Sequence, residues 1–303
     1  MLATANWHTR ILASACGLAL FAMPLLANDR FEDADAIHDS VTAMADAAAA
    51  RDAAGFAAVF TEQEEASLWG QALRYNGTLA IEAWMNGLLG LVPEAATYVA
   101  SAPRIILRPD GDADAAWVTS DWSWAVWDGR ATGRMRRESG EWRFHRVDFF
   151  GMKVVEPEAD MDPTWATQMI GAASATVDAV GAATTACDVP GIAALALPTF
   201  RFVEADGSDA PDPIAAITAH CATGAFDGFN AASAAIYIDA QAEKALVVDT
   251  NAPGDSLRLL LSLEDGGWFI EAAALGDHGL ATSLDVSAQG RVLTSWARIR
   301  RGL

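Results

Sequence analysis

The sequence predicts an α+β protein made of two similar halves, each with helices first and a curved antiparallel sheet after them. In the first half, apolar residues at helical spacing precede a strand-rich stretch with Asp-Gly and Ser-Gly turns. In addition, short segments of the first half recur in the same order in the second. The length of 303 residues is typical of about two domains.

The amino terminus has the pattern of a secretory signal peptide. Arg10 precedes an apolar run over 11–27, which Pro24 interrupts, and charged residues begin directly afterwards. The run is shorter than the ~20 residues that a helix needs to span a bilayer. We therefore expect residues 1–27 to be removed and the mature protein to be exported, periplasmic or secreted, with no membrane attachment.

The sequence of the first half predicts its helices and strands in the following order. Apolar residues recur every three to four positions over 33–60, as in an amphipathic helix. A short strand over 66–69 follows, and the turn at Asn76 and Gly77 leads into a helix from Thr78. The next segments alternate as strands do and are separated by turns; the predicted strands are 97–109, 115–127, 131–138 and 142–150, with turns at 110–114, 128–130 and 139–141.

The second half repeats the first with shorter loops. The matching segments are 51–60 with 187–196, 81–84 with 214–217, 116–122 with 245–251, and 139–144 with 265–270. They keep their order while their separation shrinks steadily, as expected of a duplicated domain that has lost loop residues. We predict domains at 28–155 and 164–278, the second degenerate, and a tail at 279–303 that could form a hairpin.

The pattern of these segments resembles a known family. The stretches "AARDAAGFAAVFTEQEEASLWG", "YNGTLAIEAWMNGLL", "AAWVTSDWSW" and "GRMRRESGEWRFHRVDFF" look like the SnoaL-like branch of the NTF2-like superfamily, over residues 31–151 and more faintly over 166–276. The resemblance implies two cystatin-like cones, each with helices packed on a curved antiparallel sheet. It also implies that the two cones pack sheet to sheet, as an intramolecular pseudo-dimer.

The stretch "SDWSWAVWDG" is rich in tryptophan. As a single strand it would place Trp122 and Trp124 on one face, and Asp121 and Trp127 on the other. Burial of one Trp side chain contributes about 3 kcal/mol or more, so we expect both faces to be covered. The alternative is that Trp122 and Trp124 fill the cone while Trp117 and Trp127 lie half exposed.

Composition excludes several function classes. The chain has 20 basic and 40 acidic residues and a net charge of −20, which repels nucleic acid and anionic membranes. It has no HExxH, no clustered Cys and His, no glycine-rich phosphate loop and no G-x-S-x-G elbow, so we expect neither a metal nor a cofactor. Cys187 and Cys221 are candidates for a disulfide in an oxidising compartment, or else two free thiols.

The resemblance implies a pocket of carboxylates and aromatic residues, in which desolvation raises a carboxyl pKa. The candidates that line it are Trp69, Tyr75, Trp84, Arg146 and Asp148. Trp142, Phe144, Arg146 and Asp148 are expected on one strand face. Asp121 or Asp148 would accept a proton, and Arg146 would bind an anionic group. A structural salt bridge between Arg146 and Asp148 is the alternative.

The second domain lacks these charges. At the positions of Asp121, Arg134, Arg146 and Asp148 it has Thr250, Leu260, Ala272 and Ala274. We therefore expect a ligand site in the first domain and a structural role for the second. The sequence favours an exported protein that binds a small apolar or anionic molecule, or a protein partner. The alternative is an acid–base enzyme, such as an isomerase, lyase or hydrolase.

Overall fold

The computed structural model describes residues 31–61, 66–70, 73–108, 113–151, 163–226, 228–239, 242–249 and 257–276. The predicted signal peptide at 1–27 and the predicted tail at 279–303 lie outside the described residues. The described chain is mixed α+β, with helices packed on both faces of a large curved sheet.

The first half begins with helices and continues mainly with strands. Its helices are α1 (Glu32–Ala49), α2 (Ala53–Ala58) and α3 (Thr78–Leu89). Its strands are β1 (Ser67–Gly70), β2 (Leu73–Asn76), β3 (Tyr98–Ala100), β4 (Arg104–Leu107), β5 (Ala115–Trp124), β6 (Trp127–Glu138) and β7 (Glu141–Asp148).

The second half follows a similar order, with five described strands in place of seven. Its helices are α4 (Pro163–Thr185), α5 (Val189–Ala194) and α6 (Pro213–Thr223). Its strands are β8 (Ala196–Val203), β9 (Ala234–Asp239), β10 (Lys244–Asp249), β11 (Leu257–Glu264) and β12 (Gly267–Leu275).

The long helix predicted over 33–60 is two helices. Arg51 adopts φ 58°, which ends α1, and Asp52 then caps α2 by accepting a hydrogen bond from the N–H of Gly55 at 2.9 Å. The second half breaks its first helix in the same way: Cys187 has φ 51°, and Asp188 accepts from the Gly191 N–H at 3.1 Å. The helix starting at Thr78 is confirmed.

The strands of the described residues form one sheet, in the order β2-β1-β7-β6-β5-β4-β9-β10-β11-β12-β8, with β3 paired to β5. In each half a short early strand lies parallel to the last strand, β1 with β7 and β8 with β12. Strands β4 and β9 pair in parallel and join the halves. The halves therefore meet edge to edge at this seam, a contact that the sequence-based expectation of stacked sheets did not include.

Parallel pairing at the seam places the two helix layers on opposite faces of the sheet. Ile105 and its register partner Tyr237 belong to the core with α1–α3, whereas Ile106 and its partner Ile238 belong to the core with α4–α6. Ile105 and Ile106 both have no exposed area. Neighbouring residues of one strand thus contribute to two different cores, which couples the halves.

Polar side chains also cross the seam. The Arg104 guanidinium donates to the carbonyl of Ala234 at 2.5 Å and to Ser174 Oγ on α4 at 3.3 Å. Arg108 Nη1 lies 3.3 Å from Asp239 Oδ2, and that carboxylate is fully buried. Since an unpaired buried carboxylate is costly, this pair favours the joined arrangement over separated halves.

A β-bulge occurs at matching places in the two halves. The register between β6 and β7 shifts between Arg134 and Met135, and the register between β11 and β12 shifts between Leu260 and Leu261. A bulge adds one residue to one strand of the pair and bends it. Both halves of the sheet therefore bend at equivalent points.

The bulge reverses the predicted alternation of side chains between the two faces of β7. Trp142 and Phe144 face the core of the first half, as expected. His145 is the extra residue, so Arg146 and Asp148 pair with Arg134 and Thr132 on the opposite face. The prediction that all four side chains share one face is wrong, because one inserted residue reverses the alternation.

The stretch predicted as one strand through Trp127 is a hairpin. Strand β5 ends at Trp124 and β6 begins at Trp127, with Ala125 at φ 59° in the turn. Trp124 and Trp127 are register partners and share a face. The expectation that Trp127 lies opposite, beside Asp121, is therefore wrong. Trp122 and Trp124 do share the core face, where they are 3% and 1% exposed.

Trp122 and Trp124 fill the interior of the first half. The Trp122 ring stacks on Phe149 at a centroid distance of 4.7 Å, and its Nε1 donates to the Phe149 carbonyl at 2.6 Å. Trp124 meets Tyr98 edge to face at 5.4 Å and donates to the carbonyl of Ala96 at 3.4 Å. Both indoles are thus buried with their polar atom satisfied.

The contact between α1 and the second half contains a histidine whose protonation opposes folding. His38 on α1 lies 6.5 Å from the ring of Tyr237 on β9. Burial lowers the pKa of His38 below 6.5, against the opposing effect of Asp39 and Asp35, which raise it. Its Nδ1 is buried and has no hydrogen-bond partner. The folded protein therefore favours the neutral ring.

We expect this histidine to make stability decrease as pH falls below about 6.5. The unfolded chain then binds a proton that the folded chain resists, so the contribution is complete above the unfolded pKa and is lost below it. The measurement is the denaturation midpoint against pH for the wild type and His38→Gln. The variant should show a smaller decrease between pH 6.5 and the onset of carboxylate titration; equal slopes would contradict the expectation.

Candidate functional site

The first half carries an open polar groove beside the β5–β6 pair. The groove has a volume of about 500 Å³, and the residues that line it are Asp121, Trp122, Asp128, Gly129, Arg130, Thr132 and Gly151. Three of these side chains are charged, and Trp122 is only 3% exposed. The groove is therefore suited to a polar ligand.

An ion pair lies at the mouth of this groove. Asp121 and Arg130 are register partners on β5 and β6. Arg130 Nε donates to Asp121 Oδ1 at 2.7 Å, and Nη2 donates to Oδ2 at 3.3 Å. The two side chains are 59% and 62% exposed, so a solute can reach both. The hydrogen bond with Asp121 raises the pKa of Arg130, which stays charged.

The backbone at Asp121 is held by the link between β3 and β4. Ser101 Oγ accepts from the Asp121 N–H at 3.0 Å, and the Ser101 N–H donates to the Asp121 carbonyl at 2.7 Å. Ser120 Oγ donates to the Ser101 carbonyl at 2.9 Å. These bonds place Asp121 at a defined position on a rigid strand, as binding sites require.

Two glycines shape the groove. A Cβ at Gly129 would lie 3.0 Å from the Trp122 ring, so this position lets the indole pack beneath the groove floor. Gly151 has φ 66°, and a Cβ there would lie 2.9 Å from the Arg130 carbonyl. Only glycine adopts that conformation and that approach without strain. The chain leaving β7 therefore passes close beside Arg130.

The predicted pocket residues divide between the two faces of the sheet. Tyr75 and Trp84 lie on the helix side, with ring centroids 6.0 Å apart. Trp69, Arg146 and Asp148 lie on the face of the first-half sheet that points away from α1–α3, which we call the outer face. The structure therefore does not bring the five residues to one cavity.

The outer face holds two of these residues in different environments. Asp148 has no exposed area, lies beside Thr132 and Trp69 in the sheet register, and its Oδ1 accepts from the Phe150 N–H at 3.2 Å. Arg146, two positions earlier, is exposed. An Arg146–Asp148 salt bridge is not among the ion pairs of the described residues.

The interiors of both halves are filled. Aromatic side chains occupy the first interior, including the Trp122 and Trp124 cluster and Trp84, which packs on Phe149 at 5.5 Å. The second interior retains an apolar cavity of about 10 Å³ between Phe202, Phe226 and their neighbours. Such a volume holds at most one water molecule. The cavity in the second half is therefore too small for an apolar ligand.

Other predicted features are reported for the described residues only. Cys187 is exposed and Cys221 half-buried, and the candidate disulfide between them is not formed. No three His, Cys, Asp or Glu side chains in the described ranges are placed to hold a metal ion. None of the helices described is long and apolar enough to cross a bilayer.

Sequence reasoning missed Arg130 and Thr132 as site residues. It assigned a turn to 128–130, whereas the turn lies at Ala125 and residues 127–138 are one strand. That error separated Arg130 from Asp121, its neighbour across the hairpin. Ala125 adopts a positive φ, which is usually found at Gly or Asn. The sequence therefore contains no local signal for this turn.

Comparison with known proteins identifies a fold likeness only. No family model and no curated protein matches the sequence. Similar solved structures include a cystatin-like protein of unknown function from Nostoc punctiforme, with 15% identity over 38% of this chain and 88% of that one, and a TM-score of 0.33. A putative scytalone dehydratase from Novosphingobium aromaticivorans has 14% identity over 43% and 95%, with a TM-score of 0.32.

An NTF2-like protein of unknown function from Pseudomonas putida is also similar, with 19% identity, coverage of 42% of this chain and 94% of that one, and a TM-score of 0.32. The neighbours are thus NTF2-like and cystatin-like proteins, and each covers less than half of this chain. At these identities and TM-scores the likeness carries no inference about activity.

Proposed function

We propose that the chain is a tandem duplication of an NTF2-like domain, with domains at 28–155 and 164–278. Matching details in the two halves support this: the capped helix breaks, the bulges, and one hydrogen bond from each first helix to its sheet. Ser40 Oγ donates to the Trp142 carbonyl at 2.6 Å, and Thr176 Oγ1 donates to the Trp268 carbonyl at 3.2 Å. Unrelated domains would not share such contacts at corresponding positions.

The proposed function is binding of a small polar molecule by an exported, non-catalytic protein. The observation that carries it is the accessible Asp121–Arg130 pair in the groove of about 500 Å³, in a protein whose described interiors are filled. Export rests on the signal-peptide pattern of 1–27. The second domain, in this proposal, supplies packing and stability.

The charges of the groove define the ligand class. Arg130 offers a guanidinium that matches a carboxylate or another oxyanion in two hydrogen bonds. Asp121 and Asp128 offer carboxylates that match an amine. A molecule with both groups, such as an α-amino acid, could exchange the internal ion pair for two ligand contacts. The groove therefore favours the anionic alternative of the predicted ligand over the apolar one.

A protein purified from its own host tests the proposal. Native mass spectrometry of the folded protein is expected to show a bound small molecule, which is then identified after release. Arg130→Gln should lower the affinity for that molecule at least about tenfold, because a charge-assisted hydrogen bond contributes about 1.5–3 kcal/mol.

The matched control is Arg201→Gln. Arg201 forms an equally close, similarly exposed pair with Asp209 in the second half, at 2.6 Å with exposures of 42% and 53%. Its replacement should leave the affinity unchanged. Retention of the ligand by Arg130→Gln, or equal losses in both variants, would overturn the groove assignment.

The alternative of an acid–base enzyme finds less support. Its mechanism needs a carboxyl group in an apolar pocket with room for a substrate. Asp121 is exposed and paired with Arg130, and Asp148 faces away from the aromatic interior. The structure thus supports binding over proton transfer at these two predicted residues.

A further inference from the structure

We propose that the ligand of the groove is a short peptide of two or three residues, which binds in extended form along the edge of β6 with its amino group at Asp128 and its carboxylate at Arg130. The inference rests on the proposed function, because it names the ligand class of the same groove.

The first part of β6 has a neighbouring strand on one side only. Strand β6 begins at Trp127, whereas its pairing with β7 begins at Thr132, opposite Asp148. Residues 127–131 therefore pair with β5 alone among the described strands. Such an edge presents backbone N–H and C=O groups to which an extended peptide can add as a further strand.

The backbone groups of Asp128 and Arg130 point to this free edge. On β5, the N–H and C=O of Asp121 bond to Ser101, on the side away from β6. When one residue of an antiparallel pair points its backbone groups outward, its partner does the same, so Arg130 points away from β5. This direction alternates along a strand, so Asp128 points the same way. Neither residue forms another backbone hydrogen bond in the described ranges.

The side chains of these two residues carry opposite charges at a spacing that fits a peptide. Asp128 and Arg130 lie two positions apart on one strand, and therefore on one face, about 6.7 Å apart along it. An extended dipeptide separates its amino group from its carboxylate by two residues as well. In a free amino acid a single Cα joins the two groups, which lie about 2.5 Å apart. The spacing therefore favours a peptide over a free amino acid.

Both charged side chains can accept a ligand. Asp128 is exposed and forms no ion pair within the part of the chain that the structure describes. Arg130 uses Nε and Nη2 for Asp121, and its Nη1 makes no hydrogen bond to the described residues. A carboxylate can therefore bind Arg130 whether or not that pair opens. Because the groove has two carboxylates and one guanidinium, it also attracts an amino group.

The chain limits the length of the bound peptide at both ends of the edge. Gly151 closes one end, since a Cβ there would lie 2.9 Å from the Arg130 carbonyl. At the other end, β6 starts directly after the hairpin turn that contains Ala125. The edge between these limits, residues 127–130, is about 13 Å long. This length fits a short peptide and not a long strand.

Calorimetric titration of the full mature protein tests the proposal with dialanine, trialanine and alanine as probes. The peptides should bind at least about tenfold more tightly than alanine, which cannot reach both charges and lacks an amide for the strand edge. Methylation of the dialanine amide nitrogen removes the N–H and keeps both charges, so it should weaken binding about three- to tenfold.

Variants of the groove assign the effect. Asp128→Asn and Arg130→Gln should each weaken dialanine binding at least about tenfold, because each removes one charge-assisted contact. Glu94→Gln is the matched control, since it also removes one negative charge at an exposed position but does not line the groove. It should leave the affinity unchanged. An equal loss in all three variants, or no loss in either groove variant, would refute the peptide assignment.

The peptide assignment and the proposed function fail separately. If alanine binds as tightly as the peptides and Arg130→Gln weakens it, the peptide class is wrong while the groove remains a site for small polar molecules. If neither peptide binds, the peptide class is equally wrong, and the molecule released from the host-purified protein then decides on the groove by its own dependence on Arg130.

Discussion

Replacement of Trp122 by Ala is expected to lower the free energy of unfolding by about 3–5 kcal/mol. The ring is 3% exposed, stacks on Phe149 at 4.7 Å and meets Phe150 edge to face at 5.2 Å. Its loss leaves a cavity and removes the donor to the Phe149 carbonyl. Urea denaturation followed by circular dichroism measures the change.

Two controls separate the contributions. Trp122→Phe keeps an aromatic ring and loses the indole N–H, so it should cost less than Trp122→Ala. Val126→Ala changes the turn of the same hairpin, where Val126 is 89% exposed, and should stay within about 0.5 kcal/mol. A loss below about 1 kcal/mol for Trp122→Ala would mean that the ring does not fill the interior.

The second large effect is expected at the seam. Ile105→Ala and Ile106→Ala should each cost about 2–5 kcal/mol, because both side chains have no exposed area and each lies in a different core. Val99→Ala, on the preceding strand β3 at 56% exposure, is the matched control and should change little.

These seam variants also test whether the halves unfold together. Strand β4 pairs with β9 and supplies one side chain to each core, so the two halves should form a single cooperative unit. Calorimetry of either variant should then show one transition at a lower temperature. Two separate transitions, with only one of them moved by each variant, would contradict a coupled sheet.

In each half, one face of the sheet points away from the helices of that half, and this outer face differs in composition between the halves. In the second half, Leu246, Val248 and Leu260 contribute to the core that contains α1–α3. In the first half, the register equivalent of Leu260 is Arg134, which lies beside Arg146. An apolar outer face is used up in packing, whereas a polar one retains charges that a ligand could use. The proposed groove site lies in the first half, where Asp121 and Arg130 keep accessible charges.

Local elements were predictable where the signal is local. The turn at Asn76 and Gly77 and the helix from Thr78 follow from Gly conformation and apolar spacing, and both occur. The break at Arg51 was missed, because a non-glycine residue holds the positive φ and continuous alanines on both sides favour one helix. The turn at Ala125 was missed because there, too, a non-glycine residue adopts a positive φ.

Burial of the tryptophans was predictable, but the geometry of the candidate site was not. Apolar rings at Trp122 and Trp124 leave water in any compact fold, and alternation along one strand gave them a shared face. The pairing of Asp121 with Arg130 required the hairpin register, and the separation of Phe144 from Arg146 required the bulge at His145. Neither is encoded in the spacing of one strand.

The sequence by itself determined the α+β class, the order of helices and strands, the repeat of short segments, and the burial of the aromatic residues, since these depend on local preference and hydrophobicity. Only the tertiary structure decided that β4 pairs with β9, that one inserted residue turns Arg146 and Asp148 to the outer face, and that both described interiors are filled. These outcomes depend on hydrogen-bond register between distant strands, where a shift of one residue reverses every face.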